Sequence, residues 1–535
     1  MKQTDGNTHV HPALLGAIIG DALGVPVEFS SREKRRNDPV TDMRAYGVHH
    51  QPAGTWSDDS SMLLCLAESV SETGWNIGDQ MARYARWLNE GYMTPHGEVF
   101  DVGGATRAAI RRFQTGTEAA FCGGRDERDN GNGSLMRCLP AALCFAHSPD
   151  GLLAAAMDQS SILTHAHPRS RLACVFFGFL VSELVRYVGA THAGTEERVS
   201  GANAPAVGTR ETNAPGRVAA GAGPSQPLAR EAVAAATARL TRVAGSGDLP
   251  ADLVPELPSL ERIVSGRLYT LAEAEIQSSG YVVHTLEAAI WCVCTSDSYR
   301  ECVLKAVNLG EDTDTTACVA GGLAGLLWGT EAIPREWSSA LADHDTVERV
   351  VSGFSRLMMT SVPFENAYTV LPGKLYAGQY PRNKDDSSSR VKLGGLLDAG
   401  VTVCIDLTEP GEHRLEPYDA LLEELARERG VSHRHRRFAI PDMGVCSRTT
   451  LGEIHAAIDS ALEAGETVYV HCWGGHGRTG LVIGTWLVSH GLVRAASAVH
   501  ALTVLRENMP KGQHPSPETA EQIGMLESYD SHLSP

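Results

Sequence analysis

Two stretches of this chain gather acids where a fold has little use for them. Thr55-Trp56-Ser57-Asp58-Asp59-Ser60-Ser61 sets adjacent carboxylates between hydroxyls, and Gly310-Glu311-Asp312-Thr313-Asp314-Thr315-Thr316 sets acids among threonines. Each leads into an apolar run, MLLCLAESV and ACVAGGLAGLLWG, so helix capping is the first explanation. Ser57 is a good N-cap, and Asp in a first turn suits the helix dipole. One cap needs one side-chain acceptor, however, and Asp58, Asp59, Asp312 and Asp314 offer more. Hard divalent cations take oxygen ligands from Asp, Ser, Thr and water. Without a cation, converging carboxylates repel or hold protons. The two stretches are expected to meet as halves of a two-cation site.

A different chemistry is written in His471-Cys472-Trp473-Gly474-Gly475-His476-Gly477-Arg478-Thr479-Gly480. A β-branched run leads in and an apolar helical run leads out. Cys472 and Arg478 can face one centre. Loop N–H groups and the following helix N-terminus favour the thiolate. Arg478 can grip two phosphate oxygens at once, and Thr479 can donate to the departing sulfur. Gly475 and Gly477 would let the loop wrap a phosphate.

Three weaker stretches accompany the acids. Gly20-Asp21 and Glu28 flank a glycine-rich helical run. Asn130-Gly131-Asn132-Gly133-Ser134 is a loop whose backbone could cradle a phosphate, with Arg137 beyond it. Thr164-His165-Ala166-His167 brings two imidazoles to one turn.

These residues need scaffolds of two kinds. From residue 11 to 188, and again from about 259 to 358, apolar residues recur at helical spacing between glycine-rich joints. Residues 189–258 read as a low-complexity insertion. Its first part, 189–228, is rich in Ala, Gly, Pro and Thr and is expected to be disordered; REAVAAATARL after it is expected to be helical. Beyond about 366 the texture changes. LYAGQY, VTVCIDL and ETVYVHC read as strands alternating with helices, which implies an α/β domain with a mostly parallel sheet over 366–530.

The net charge of −18 argues against a nucleic-acid surface. Twelve scattered cysteines without a paired motif read as reduced core thiols, which implies a cytoplasmic protein. No signal peptide is visible. No stretch reads as the roughly 18 apolar residues of a membrane span, and ACVFFGFLVSELV reads as a buried helix.

Taken in order, GAIIGDALGVPVEF, GTWSDDSSM, FDVGGATRAAI, GNGSLMRCLP, THAHP, SSGYVVHTLEAA and NLGEDTDTTACVAGGLAG resemble the ADP-ribosylglycohydrolase family, which includes the dinitrogenase reductase-activating glycohydrolases. The resemblance spans about 11 to 358. It implies an all-α domain with two Mg²⁺ or Mn²⁺ ions, held by Ser57, Asp58, Asp59, Asp312, Asp314 and Thr315, with Glu28 at the family's mobile acid. Many members have Thr where this chain has Ser57; both offer a hydroxyl. The implied reaction is hydrolysis of an ADP-ribosyl glycosidic bond on a protein or related conjugate. Asp58, Asp59 or Glu28 would orient or deprotonate the water. The Gly131-Asn132-Gly133-Ser134 backbone, His165 and Arg137 would receive the diphosphate.

The Cys472 loop resembles the protein-tyrosine and dual-specificity phosphatases over roughly 366–530, without a cofactor. That family needs a general acid upstream, and Phe438-Ala439-Ile440-Pro441-Asp442 supplies Asp442. No Trp precedes Pro441, which favours the compact dual-specificity type. Gln522 matches the position that holds the hydrolytic water. The joint expectation is a bifunctional hydrolase acting on an ADP-ribose conjugate and a phosphorylated substrate. The alternatives are that one head works on a phosphorylated ADP-ribose or nucleotide in a shared pathway, or that one head only binds ADP-ribose or phosphate.

Overall fold

A computed structural model of the protein describes residues 9–200 and 226–529, with backbone alone over 191–200. Up to Met358 the described residues are helices and loops, apart from isolated bridges. The innermost pair is Val10–Gly24 against Thr313–Trp328. Gly16, Gly20 and Gly24 recur every fourth residue and form one stripe, which lets the backbones touch. A Cβ on Gly20 would lie 2.0 Å from the Ala317 carbonyl oxygen, and one on Gly24 would lie 2.3 Å from Asp314 Cα. This close approach delivers Asp21 from one helix and Asp314 from the other to the same place.

Over 189–258 the helix expected at REAVAAATARL is present, while the disorder expected from residue 189 is corrected over 189–200. The helix Pro168–Ser200 runs through 189–200, and Gln226–Ser246 is a second helix packed on it. Ala229, Ala232, Val233, Ala236, Leu240 and Val243 are buried along that second helix. Their three-and-four spacing makes an apolar face from small side chains, which composition alone disguises as low complexity. Residues 201–225, the centre of the expected disorder, lie outside the described residues.

The membrane expectation also needs a correction. Val10–Val27 and Pro168–Ala190 are both long and apolar enough to pass a test for a span. They are 94% and 83% buried inside the protein, so they serve as core helices here.

After Met358 the fold changes to a five-stranded sheet of order β1-β2-β5-β3-β4. The strands are β1 (Ala367–Leu371), β2 (Leu375–Gly378), β3 (Val403–Asp406), β4 (Arg434–Arg437) and β5 (Val468–His471). β1 and β2 pair antiparallel, and the other pairings are parallel. β5 is central, with His471 opposite Gly378 on one side and Asp406 on the other. Cys472 therefore emerges at the carboxyl edge of the sheet, where open α/β sheets bind ligands.

The two parts share an interface. The helix Arg448–Glu463 packs on the helix Asp58–Thr73, and Ala495–Leu505 packs on Asp150–Ile162. The buried Lys374, in the β1–β2 turn, donates to the Glu72 carbonyl at 2.8 Å and the Gly465 carbonyl at 3.0 Å. Gln159 accepts from Trp75 Nε1 at 2.7 Å and donates to the His490 carbonyl at 2.7 Å. Arg494 and Ser497 both donate to Asp248.

Candidate active sites

The helix Asp58–Thr73 starts with its acids turned into the protein. Ser57 Oγ accepts from the Asp59 N–H at 3.3 Å, as a cap should. A stronger cap comes from Asp21, whose carboxylate accepts from the Ser57 N–H at 3.0 Å, the Ser60 N–H at 3.0 Å and the Ser60 hydroxyl at 2.5 Å. With those donors taken, Asp58 and Asp59 are surplus to capping. The same holds at Thr313–Trp328. The Thr315 N–H, which a capping Asp312 would use, goes to Asp314 Oδ1 at 2.9 Å.

The two helix starts meet. Thr315 Oγ1 donates to Asp59 Oδ2 at 3.3 Å, although the two residues are 256 positions apart. Ligand atoms of Glu28, Asp312 and Asp314 lie within 4.8 Å of one another. Asn132 donates to Asp312 Oδ2 at 2.9 Å. Asp59 Oδ1 and Asp312 Oδ1 are buried and have no hydrogen-bond partner among the described residues. Burial drives the Asp58, Asp59 and Asp314 carboxyls well above their usual range, and their mutual repulsion adds to it. Burial likewise lifts Asp21 to about 6 and Glu28 to about 7. Glu28 is also held by His49 Nε2. Converging buried acids with orphaned oxygens fit a pair of hard cations with oxygen ligands.

Around this cluster some expected residues take other places. Gly131 and Gly133 lie against the His165 ring, and a Cβ on Gly133 would sit 2.8 Å from His165 Cε1. His165 is buried and held neutral, its pKa lowered to about 3 by burial and by Arg137. Ser134 is turned into the core, where its Oγ accepts from Ser161 at 2.9 Å. Arg137 is fully buried and bonds the Gly133 and Ser160 carbonyls and Thr164 Oγ1. It braces the loop from behind, with its guanidinium turned into the core and away from the surface where a diphosphate was expected to meet it. His167 faces away and pairs with Glu127 at 3.3 Å.

The second site sits on β5 and the helix Gly477–Ser489. Cys472, Trp473, Arg478, Asp442, Glu518 and Gln522 line one cavity. The Gly475 N–H points at Cys472 Sγ at 3.3 Å. Gly475 has φ +76°, and a Cβ there would lie 2.4 Å from Gly378 C, so the loop turns hard against β2. Gly477 backs onto Gln522. Thr479 Oγ1 is buried with no partner among the described residues. His471 is buried behind the loop and shares a 2.7 Å bond with Tyr418; burial holds it neutral, with a pKa of about 4. Gln522 Nε2 donates to the Gly444 carbonyl at 2.8 Å.

Two residues of this site went unread in the sequence. Arg478 donates from Nη1 and Nη2 to the two Glu412 oxygens, both at 2.6 Å, and Nη2 also reaches Asp442 Oδ1 at 2.9 Å. Burial opposes the Arg478 charge, and the Glu412 bridge outweighs it. His413 Nε2 bonds Asp442 Oδ2 at 2.9 Å and stacks on Trp473 with ring centroids 4.1 Å apart. The loop carrying them is strained, with His413 at φ +48° and Arg414 at φ +55°. The only signal for it was a Pro-Gly turn followed by Glu-His in TEPGEH.

An all-helical domain closing on a buried acid cluster and a sheet domain presenting Cys472 and Arg478 define two hydrolase-type scaffolds in one chain. The model of the ADP-ribosylglycohydrolase family matches residues 3–363, and the chain belongs to that family. The model described as polymorphic toxin system, DSP-PTPase phosphatase matches residues 382–492, a phosphatase-like domain. Among relatives, the ADP-ribosylarginine hydrolase Tri1 of Serratia proteamaculans is 29% identical over 339 residues, 63% of this chain and 76% of that one. Its namesake from Pseudomonas putida is 31% identical over 339 residues, 63% of this chain and 75% of that one. The ADP-ribosyl-[dinitrogen reductase] glycohydrolase of Rhodospirillum rubrum is 28% identical over 340 residues, 62% of this chain and 88% of that one.

Proposed function

We propose that the helical head hydrolyses the ADP-ribosyl bond of a modified protein with two divalent cations, and that arginine is the acceptor, as in the names of the two Tri1 relatives. The observation that carries this reading is the meeting of Asp59 with Thr315 beside the orphaned oxygens of Asp59 and Asp312. Ser57, Asp58, Asp59, Asp312, Asp314 and Thr315 would hold the cations, either Mg²⁺ or Mn²⁺. When bound, such cations polarise ribose hydroxyls and make a water acidic. The chain's own residues do the rest. Asp21 fixes the start of the metal helix, and Asn132 orients Asp312. Asp58, Asp59 or Glu28 accepts the water's proton as the anomeric carbon develops oxocarbenium character. The Gly131–Gly133 backbone and neutral His165 wall the diphosphate. The test is release of ADP-ribose from an arginine-modified protein, with and without chelator. Release that chelator leaves untouched would end the metal reading.

For the sheet head we propose phosphomonoester hydrolysis through Cys472, with Arg478 gripping the phosphate and Asp442 protonating the leaving oxygen. Thr479 would donate to the sulfur as it leaves. The terminal nitrogens of Arg478 are occupied by Glu412, Asp442 and the Ile440 carbonyl, so phosphate has to exchange with one of these partners whether it is only bound or also hydrolysed. Turnover of para-nitrophenyl phosphate by the full chain decides between binding alone and hydrolysis.

A further inference from the structure

The rim above the acid cluster is aromatic, acidic and strained. Phe29 directly follows Glu28, is 67% exposed, and has φ +58°, a conformation bulky residues rarely adopt. Glu311, directly before Asp312, is exposed with φ +62°. The two are locked together. The Phe29 N–H donates to the Glu311 carbonyl at 2.6 Å, and the Glu311 N–H donates to the Ser30 carbonyl at 2.7 Å. A phenyl ring held in water by a strained backbone weakens the fold twice, through strain and through lost burial. Such outliers cluster where a ligand uses them.

The ring is not isolated. His49 lies between Phe29 and Phe100, with centroid separations of 6.0 Å and 5.1 Å, and its Nε2 bonds Glu28. Asp101 follows Phe100, and its charge acts on Asp58, Glu28 and His49 together, which sets it over the same space. His49, drawn toward its charged form by Glu28, fills the space between the two rings, so the rim offers the exposed ring of Phe29 and a carboxylate beside the acids that would take the ribose. A guanidinium matches both: it is planar, weakly hydrated and always charged, stacks on aromatic faces, and pairs with carboxylates. A neutral hydroxyl acceptor gains nothing from a ring quadrupole. The acids here also outnumber what two divalent cations would neutralise, so the mouth stays negative and attracts a cation.

We propose that Phe29 and Asp101 form the seat of the acceptor arginine and set the preference for a guanidinium over a hydroxyl acceptor. The inference rests on the reading of this head as an ADP-ribosyl hydrolase. Phe29 acts through binding and is a specificity residue, not a catalytic one.

The experiment uses the full chain with Mg²⁺ or Mn²⁺ and proteins ADP-ribosylated on arginine or on serine. In Phe29→Ala the ratio of kcat/KM for arginine-linked over serine-linked substrate should fall about 10-fold, carried by KM on the arginine substrate. Phe29→Trp should restore the ratio and Phe29→Leu should not. Calorimetry should find ADP-ribose affinity moved less than about 2-fold in Phe29→Ala, because the seat lies outside the ADP-ribose subsite. An unchanged ratio, or ADP-ribose affinity falling in step with it, overturns the proposal. If the variants do not fold, butylguanidine on the wild-type protein still tests it: competitive inhibition that butylamine, an equally charged cation, does not match at equal concentration supports the seat, and equal inhibition by both removes it. Wild-type protein that releases ADP-ribose from neither substrate fails the functional reading itself, which is a separate outcome.

Discussion

The two sites handle buried charge in opposite ways. In the helical head, like charges converge: Glu28, Asp312 and Asp314 crowd one another, and oxygens of Asp59 and Asp312 face no partner among the described residues. In the sheet head, opposite charges are already matched, since Arg478 is bridged to Glu412 and Asp442. The first site is completed by adding something; the second accepts something only by giving up a contact it already has. A cation bound there would stabilise the first by relieving repulsion, whereas a phosphate reaching Arg478 Nη2 would have to displace Asp442. That exchange would also free the carboxyl to which we assign protonation of the leaving group.

Removing the centre of either site should separate them most sharply. Cys472→Ser should cut phosphatase turnover on the order of 10⁴-fold or more, the scale for losing a nucleophile. It should leave ADP-ribose release intact; a parallel fall in both activities would mean one composite site. Asp314→Ala should reduce ADP-ribose release by about 10³-fold or more, since a ligand to charge-stabilising cations supports several kcal/mol. Phosphatase turnover in that variant should match wild type, measured on the same preparation.

Glu412→Gln probes the pre-matched pair. The bidentate bridge becomes a weaker neutral contact, Arg478 loses its anchor, and kcat/KM for an aryl phosphate should drop about 10-fold. A rise in activity would instead show that Glu412 withholds Arg478 from phosphate.

A pH series sharpens the contrast without mutation. Burial raises Asp21 to about 6 and Glu28 to about 7. Their contribution to stability is fully present below about pH 4, where folded and unfolded chains both hold these protons. It is lost as pH rises through the folded values. The chelated protein should melt several degrees lower at pH 8 than at pH 5, and Mg²⁺ or Mn²⁺ should abolish the difference. A chelated melting temperature that climbs over that range would contradict the like-charge description.

The smallest effect is expected between the sites. Lys374→Met removes donors to the Glu72 and Gly465 carbonyls while keeping the apolar stem. It should cost about 2 kcal/mol in denaturant unfolding. No change would mean that water replaces the ammonium at no cost.

How much of this was legible in the sequence follows from how each site is encoded. Cys472 to Thr479 is contiguous, between a β-branched run and a helix, so local rules placed it. β2, β3 and β5 were readable for the same reason. β4 was not, because Arg434-His435-Arg436-Arg437 is an exposed edge strand whose charges mask any alternation. The acid site is spread over Glu28, Ser57–Asp59 and Asp312–Thr315, and spacing alone could suggest but not place their meeting. What brings them together, the glycine stripe of Gly16, Gly20 and Gly24, reads locally only as a glycine-rich helix, with nothing to say which helix it touches. Arg137 was misassigned because a cation after a glycine loop looks like an anion ligand until its burial is known. Glu412 and His413 carry no pattern; only the tertiary approach of their loop to Arg478 gives them a role.

The run 359–366 joins the last helix of one head directly to the first strand of the other, and Lys374 and Gln159 fasten the seam nearby. The two reactive centres are thus carried at fixed stoichiometry and held at one separation set by the fold. Neither head can be titrated away or recruited elsewhere without the other. On the proposed reading of both heads, a cell that makes this chain makes the two chemistries in equal number and at one address.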